Sequence, residues 1–196
     1  LFSYLRPTGQ RGARVGLALS KDTGRVNSYF NNPVIRSLFP KNLKFFWSVK
    51  PVEVDEQSLP YYQQVFGPDF SAKESAFELI AIKVSTHDGR PPLEGDVITN
   101  ARKSTTPQGT FEVSMNMNAE GSKTWARLTK ANIGKSIAIV LDGYVYSYPN
   151  VNTEIKGGSS SISGGFSVQE ADDLANILKS GKLPAPARIV EDTVVG

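Results

Sequence analysis

Cysteine is absent from the 196 residues. That excludes disulfides, thiol nucleophiles and every metal site built on thiolates. Histidine occurs once, in the turn His87–Asp88–Gly89, with no second imidazole and no thiol to share a metal or catalytic role. No run approaches the roughly 18 to 20 consecutive apolar residues that cross a bilayer. The chain opens on Leu1 without a charged n-region followed by an apolar stretch, and it reads as a segment of a longer protein. Acids are nearly missing from residues 1–50: Asp22 stands alone against nine basic side chains, a local +8. Residues 51–100 carry −6, 101–150 carry +3 and 151–196 carry −2, leaving a net +3. This pattern suits a solvated basic face balanced by an acidic neighbour, or a surface for an acidic or extended partner. The basic residues are scattered and accompany no nucleic-acid motif, which argues against a nucleic-acid partner.

Apolar residues make up 39% of the chain, enough for a buried core. Val15–Leu19 suits a buried strand. Asp22 stands where a cap precedes a helix bearing Val26, Tyr29 and Phe30, and Asn32–Pro33 opens a short second helix that Pro40 stops. Leu43–Val49 reads as a strand crowded by Phe45, Phe46 and Trp47, so residues 15–49 form a β-α-α-β unit. Residues 50–75, with Pro51, Pro60 and Pro68 and the aromatics Tyr61, Tyr62 and Phe66, read as a connection holding one short helix. Phe77–Ser85 is a strand apolar on both sides, which wants cover on both. Asp96–Ala101 reads as a short helix or turn. Phe111–Met117 alternates cleanly, with Glu112, Ser114 and Asn116 on a polar face. A helix capped by Asn118 carries Trp125, Leu128 and Ala131 and ends at Gly134. Ile137–Leu141 and Tyr144–Tyr148 flank Asp142–Gly143, a strong hairpin signal. Ser167 and Glu170 form a capping box for a helix with Ala171, Leu174, Ala175 and Leu178 inward, and Gly181 stops it. Pro184 and Pro186 lead into a last strand over 187–195. From Phe111 the order is β-α-β-β-α-β, the ferredoxin-like arrangement. The expected fold class is therefore α+β, with a smaller α+β subdomain at 1–76, a connecting strand and linker at 77–92, and a ferredoxin-like base at 93–196.

Candidate chemistry thins out under inspection. Gly134–Lys135–Ser136 ends like a phosphate loop, but the required earlier glycine is Thr129 and the helix precedes rather than follows. Gly157–Gly158 and Gly164–Gly165 bracket Ser159–Ser163, which reads as a tight crossover with glycines at positive φ, or as an amide nest for an anion. Glu170, Asp172 and Asp173 sit at a helix start, where the macrodipole already favours them. Asp142 has a sufficient conformational reason in its hairpin. No catalytic, cofactor or metal set emerges.

Several long strings in the C-terminal half resemble the first extracytoplasmic domain of the SecD family. They are Asn132–Lys135, Ala138–Gly143, Gly157–Gly158, Ile162–Phe166, Leu174–Asn176, Ser180–Gly181 and Leu183–Pro186, and LEGDVITNAR at 93–102 is similar to a further family segment. The resemblance covers about 105 residues and departs at Ser147–Tyr148–Pro149, where alanine is usual between serine and proline. It implies a non-enzymatic, cofactor-free periplasmic domain of a membrane-anchored inner-membrane protein. Its partners would be SecF and the SecYEG translocon through the parent, and an unfolded preprotein that it helps to draw out using the proton gradient. It also implies that residues 1–76 are the head that contacts the preprotein, with Lys44, Phe46, Trp47, Tyr61, Tyr62 and Phe66 as the contact candidates. Asp142, Gly143, Gly157, Gly158, Gly164, Gly165, Pro184 and Pro186 would serve the fold. The alternative is a generic ferredoxin-like extracytoplasmic adaptor that binds a folded partner.

Overall fold

The computed structural model describes residues 1–9, 12–84, 86 and 89–180. The expectations placed on His87, Asp88, Gly181, Pro184, Pro186 and 187–195 lie outside the described residues. In chain order the elements are β1 (Arg14–Leu19), α1 (Thr23–Asn31), α2 (Pro33–Ser37), β2 (Leu43–Ser48), α3 (Leu59–Phe66), β3 (Ala76–Lys83), β4 (Ile98–Thr105), β5 (Phe111–Met117), α4 (Ala119–Ala131), β6 (Ile139–Leu141), β7 (Tyr144–Ser147), β8 (Ser159–Phe166) and α5 (Val168–Ser180). The class is α+β, with two sheets ordered β1-β3-β2-β7-β6 and β4-β5-β8.

The chain folds into two units, each made from two passes. The first takes Leu1–Pro92 and Leu128–Glu154; the second takes Leu93–Arg127 and the chain from Ile155 onward. Two expectations are corrected here. Residues 77–92 do not merely connect: β3 lies inside the five-stranded sheet, antiparallel to β1 on one edge and β2 on the other. Its two apolar faces are what an interior strand needs. Residues 93–196 are not one base either, because β6 and β7 join the N-terminal strands, β7 pairing in parallel with β2 through Trp47↔Tyr144 and Ser48↔Val145. Strands pair through backbone groups, so the hairpin's local sequence names no particular sheet, and the open edge of β2 receives it.

In the first unit, Phe45 and Trp47 of β2 point to one side, where Leu5, Ala18, Val26, Trp47 and Leu79 form the core and Phe30, Phe45 and Phe77 pack against it. Val26 and Phe30 are one helical turn apart on α1, which places both on the sheet. Phe30, Phe39 and Phe45 close the edge, with ring centroids 4.4 Å apart for Phe30–Phe45 and 5.1 Å for Phe39–Phe45. Asn32 caps α2 by accepting the Val34 N–H at 2.9 Å, with Pro33 next. Asp22 makes no such bond, since a short 3₁₀ turn over Ser20–Asp22 leads into α1 instead.

In the second unit β5 lies between β4 and β8, antiparallel to both. Val113, Met115 and Met117 of β5 are buried with Ala101, Ile162 and Phe166. Ala171, Leu174, Ala175, Ile177 and Leu178 of α5 are buried as well, and α5 packs on β4 and β5. The capping box forms as read: Ser167 Oγ accepts the Glu170 N–H at 3.3 Å and Glu170 accepts the Ser167 N–H at 2.8 Å. Asp96–Ala101, expected as a short helix or turn, begins in a 3₁₀ turn at Gly95–Val97 but from Ile98 is strand β4. Ser159–Ser163 is neither crossover nor anion nest but part of β8, and in β5–β8 register Ser159, Ser161 and Ser163 face Asn116, Ser114 and Glu112. The flanking glycines do take positive φ, at 86° for Gly157, 73° for Gly158 and 61° for Gly165, while Gly164 lies within β8.

Two glycine substitutions test these contacts. In the β6–β7 turn Asp142 has φ 48° and Gly143 has φ 81°, so Gly143→Val should destabilise by about 1 kcal/mol or more through backbone strain. A Cβ there meets nothing within 4 Å, so any loss in denaturant melts reports the backbone alone. Gly121→Ala in α4 should gain up to about 1 kcal/mol from helix propensity. Its Cβ would, however, lie 2.7 Å from Val97 Cβ and 3.2 Å from Met117 Cβ. Overpacking costs about 1–3 kcal/mol, so the net should be destabilising, measured by the same melts.

Candidate functional site

On β2 the residues opposite Phe45 and Trp47 are Lys44, Phe46 and Ser48, and this side of the sheet carries a polar cluster. Phe46 pairs in register with buried Ile80 on β3. Glu78, on the same face, receives a 2.7 Å ion pair from Arg14 and a 2.8 Å hydrogen bond from the Tyr148 hydroxyl. Its backbone N–H donates to Ser48 Oγ at 3.0 Å. Burial works against the Arg14 charge, but the bond and charge of Glu78 override it and hold the guanidinium above its ordinary pKa. Burial first, and then the bond to Glu78, push the Tyr148 hydroxyl up to about 12. Burial likewise raises Tyr62. Arg14, Tyr148 and Tyr62 are all shifted further from neutrality, so these three groups tie strands together rather than move a proton.

The six nominated contact residues separate into three kinds. Trp47 is buried, 9% exposed, and its Nε1 donates to Asn27 Oδ1 at 2.8 Å, so it belongs to the core and is withdrawn as a contact. The reason is parity: Phe45 and Trp47 share one face of β2, and that face is the core side. Lys44 is exposed and its Nζ reaches the Gly89 carbonyl at 2.8 Å, while Phe46 is half-buried. On α3, Tyr61 is 39% exposed and edges against Tyr62 at 5.2 Å. Tyr62 and Phe66 are half-buried and meet through Phe70, at 6.0 Å and 5.0 Å. Phe70, itself buried, was not nominated; only its place after Gly67–Pro68–Asp69 hinted that the chain returns there. Beside Tyr61 lies an open cleft of about 360 Å³, walled by residues of the N-terminal segment, among them Phe2 and Arg6, and by Tyr61 and Val65 of α3. Thr8 lines it too, and its buried Oγ1 has no hydrogen-bond partner. Also missed were Val34 and Leu38, 73% and 76% exposed. Asp142 and Gly143 form the hairpin turn and Gly157, Gly158 and Gly165 lead into or sit in β8, all in fold-making roles. Among the described residues no group of three His, Asp or Glu side chains could hold a metal ion.

The family model for the SecDF P1 head subdomain matches residues 77–185, more than half of the chain. The chain belongs to the SecD family. It is 41% identical over all 196 residues to the protein translocase subunit SecD of Rhodothermus marinus, covering 28% of that relative. It is 47% identical to SecD of Leptotrichia buccalis over 104 residues, 53% of this chain and 26% of the relative. The chain thus spans about a quarter of the length of these curated relatives. Among solved structures, one of SecDF, described as a membrane component that enhances protein export, is 27% identical with a TM-score of 0.45, covering 85% of this chain and 71% of the other. The head-subdomain model matches 77–185 and none of residues 1–76, so it gives no support to the expectation that the head lies in 1–76.

The Glu78 cluster yields a pH prediction. A hydroxyl whose pKa rises from about 10 unfolded to about 12 folded contributes stability that is complete below about pH 10 and lost as pH climbs through the folded value. Tyr148→Phe should therefore cost about 1 kcal/mol at pH 8 through the lost bond and show a shallower decline toward pH 11 than the parent. Denaturant midpoints across that range read both effects.

Proposed function

We propose that this SecD-family segment is a non-enzymatic, cofactor-free extracytoplasmic domain of an inner-membrane protein. It contacts the emerging unfolded preprotein and passes a proton-driven conformational change in the parent on to translocation, alongside SecF and the SecYEG translocon. The observation that carries this reading is the full-length likeness to a translocase subunit SecD, 41% over the whole chain. No nucleic acid enters the scheme. The ferredoxin-like description is kept in the proposal for the second unit alone, on the antiparallel β4-β5-β8 sheet with α5 packed on β4 and β5, and the β6–β7 hairpin has no place in it.

The contact surface on the first unit is the cleft beside Tyr61 together with Lys44, Phe46, Tyr62 and Phe66. An extended client offers backbone groups and scattered apolar side chains. Tyr61, Val65 and Phe2 suit the side chains. The acid-poor N-terminal fifty residues favour apolar segments flanked by acids over strongly basic ones. Binding stays weak, because ordering a flexible client offsets most of what shallow contacts contribute.

Photo-crosslinking of a stalled preprotein in the membrane-embedded parent tests this. Probes at Tyr61 and Lys44 should label strongly, and probes at Ser114 and Ser161 weakly. Labels confined to residues 111–180 would overturn the assignment of the surface. Tighter binding of folded than of unfolded partners would favour the adaptor reading instead.

A further inference from the structure

Residues 23–52 contain no acid and five cations: Arg25, Arg36, Lys41, Lys44 and Lys50. Within that stretch α2 and the residues after it carry two apolar pairs at i, i+4, Ile35 with Phe39 and Val34 with Leu38. A short helix can bury only one such stripe. Phe39 turns inward, against the rings of Phe30 and Phe45. Val34 and Leu38 are left 73% and 76% exposed, and Tyr29 on α1 is 37% exposed. The turn beyond them is held in shape by Arg36, whose guanidinium donates to the carbonyls of Pro40, Lys41 and Leu43 at 3.3, 3.1 and 2.8 Å. The outcome is a fixed corner with two projecting aliphatic side chains, a partly exposed tyrosine on the preceding helix and the exposed Lys41 close by in the chain.

We propose that the α1–α2 corner docks reversibly on a bilayer surface rich in anionic phospholipid, with Val34 and Leu38 entering the headgroup boundary and the exposed Lys41 facing the phosphates. Aliphatic tips, a tyrosine at headgroup level and basic residues around them are the chemistry of an interfacial contact. The shape argues for lipid over polypeptide. An extended chain is gripped in a groove or along an open strand edge, whereas these side chains stand out from a helix corner, and the cleft beside Tyr61 is lined by other residues. A fluid interface accepts a protrusion without a preformed partner, and the lack of acids between residues 23 and 52 limits repulsion from its negative surface. This inference is independent of the client-contact surface.

The test uses this chain and vesicles of phosphatidylcholine with or without phosphatidylglycerol, at low salt. Flotation should show binding that requires phosphatidylglycerol and weakens steeply with added salt. The double variant Val34→Ser, Leu38→Ser keeps the net charge and should lower partitioning on the order of 10-fold, because the buried apolar area is lost. Its melting should match the parent, since both positions are exposed. The chain lacks cysteine, so Ser37→Cys takes a single environment-sensitive dye, whose emission should shift to the blue on the anionic vesicles. Binding undiminished in the double variant, no blue shift, or no vesicle binding at all would each overturn the proposal. If vesicles fail and the double variant instead loses binding to an acid-flanked apolar peptide, the corner is a polypeptide contact. If it loses self-association, the corner is a contact between copies.

Discussion

Between Trp47–Ser48 of β2 and Tyr144–Val145 of β7 the chain makes a short parallel pairing, and the first unit has one five-stranded sheet rather than two separate pieces because of it. Parallel pairs are slightly weaker per residue than antiparallel ones, and here the pairing is reinforced from both sides. The Val49 N–H donates to the Val145 carbonyl at 2.9 Å. One residue beyond β7, Tyr148 reaches across to Glu78 on β3, which Arg14 from β1 also engages. Glu78 thereby ties together three parts of the chain that are distant in sequence.

The same sheet divides its side chains by parity. One side of β2 supplies Phe45 and Trp47 to the core; the other supplies Phe46 and Lys44, neither fully buried. The aromatic residues of α3 follow a similar division, with Tyr61 outward and Tyr62 and Phe66 gathered on buried Phe70. The large exposed apolar groups of this unit are Phe2, Tyr61, those of the α1–α2 corner, Ile133 and Tyr144.

Much of the local structure was legible because period and punctuation agreed. β1, β2, β5 and α5 follow their apolar patterns, and Asn32–Pro33, Asp142–Gly143 and Ser167–Glu170 mark their turns and caps. β4 escaped because its inward positions are Ala101 and Lys103, the latter half-buried and ion-paired with Asp172, so no apolar alternation marks it. β8 escaped because serines fill its outward positions and glycines its end. The division into units was misplaced for a different reason: nothing in Ile139–Ser147 says which edge it will join. At the proposed contact surface, aromatic composition could not say which ring of Phe45–Phe46–Trp47 turns outward. Val34 and Leu38 drew no attention because a helix that short has too little periodicity to show which stripe is left over.

The two-pass construction of each unit sets an order of events during synthesis. β1, β2 and β3 are complete once residue 83 has been made, yet the partner of β2 arrives only with Tyr144 and Val145, roughly sixty residues later, which is several seconds at ordinary elongation rates. Through that interval the outer edge of β2 stands unpaired, with Phe45 and Phe46 alongside, a template for any passing strand. The intervening residues cannot finish on their own either, since β5 waits for β8. Neither unit can therefore be completed and set aside while the other is built, and the nascent chain reaches its native pairing late, in two closures that follow one another within about twenty residues.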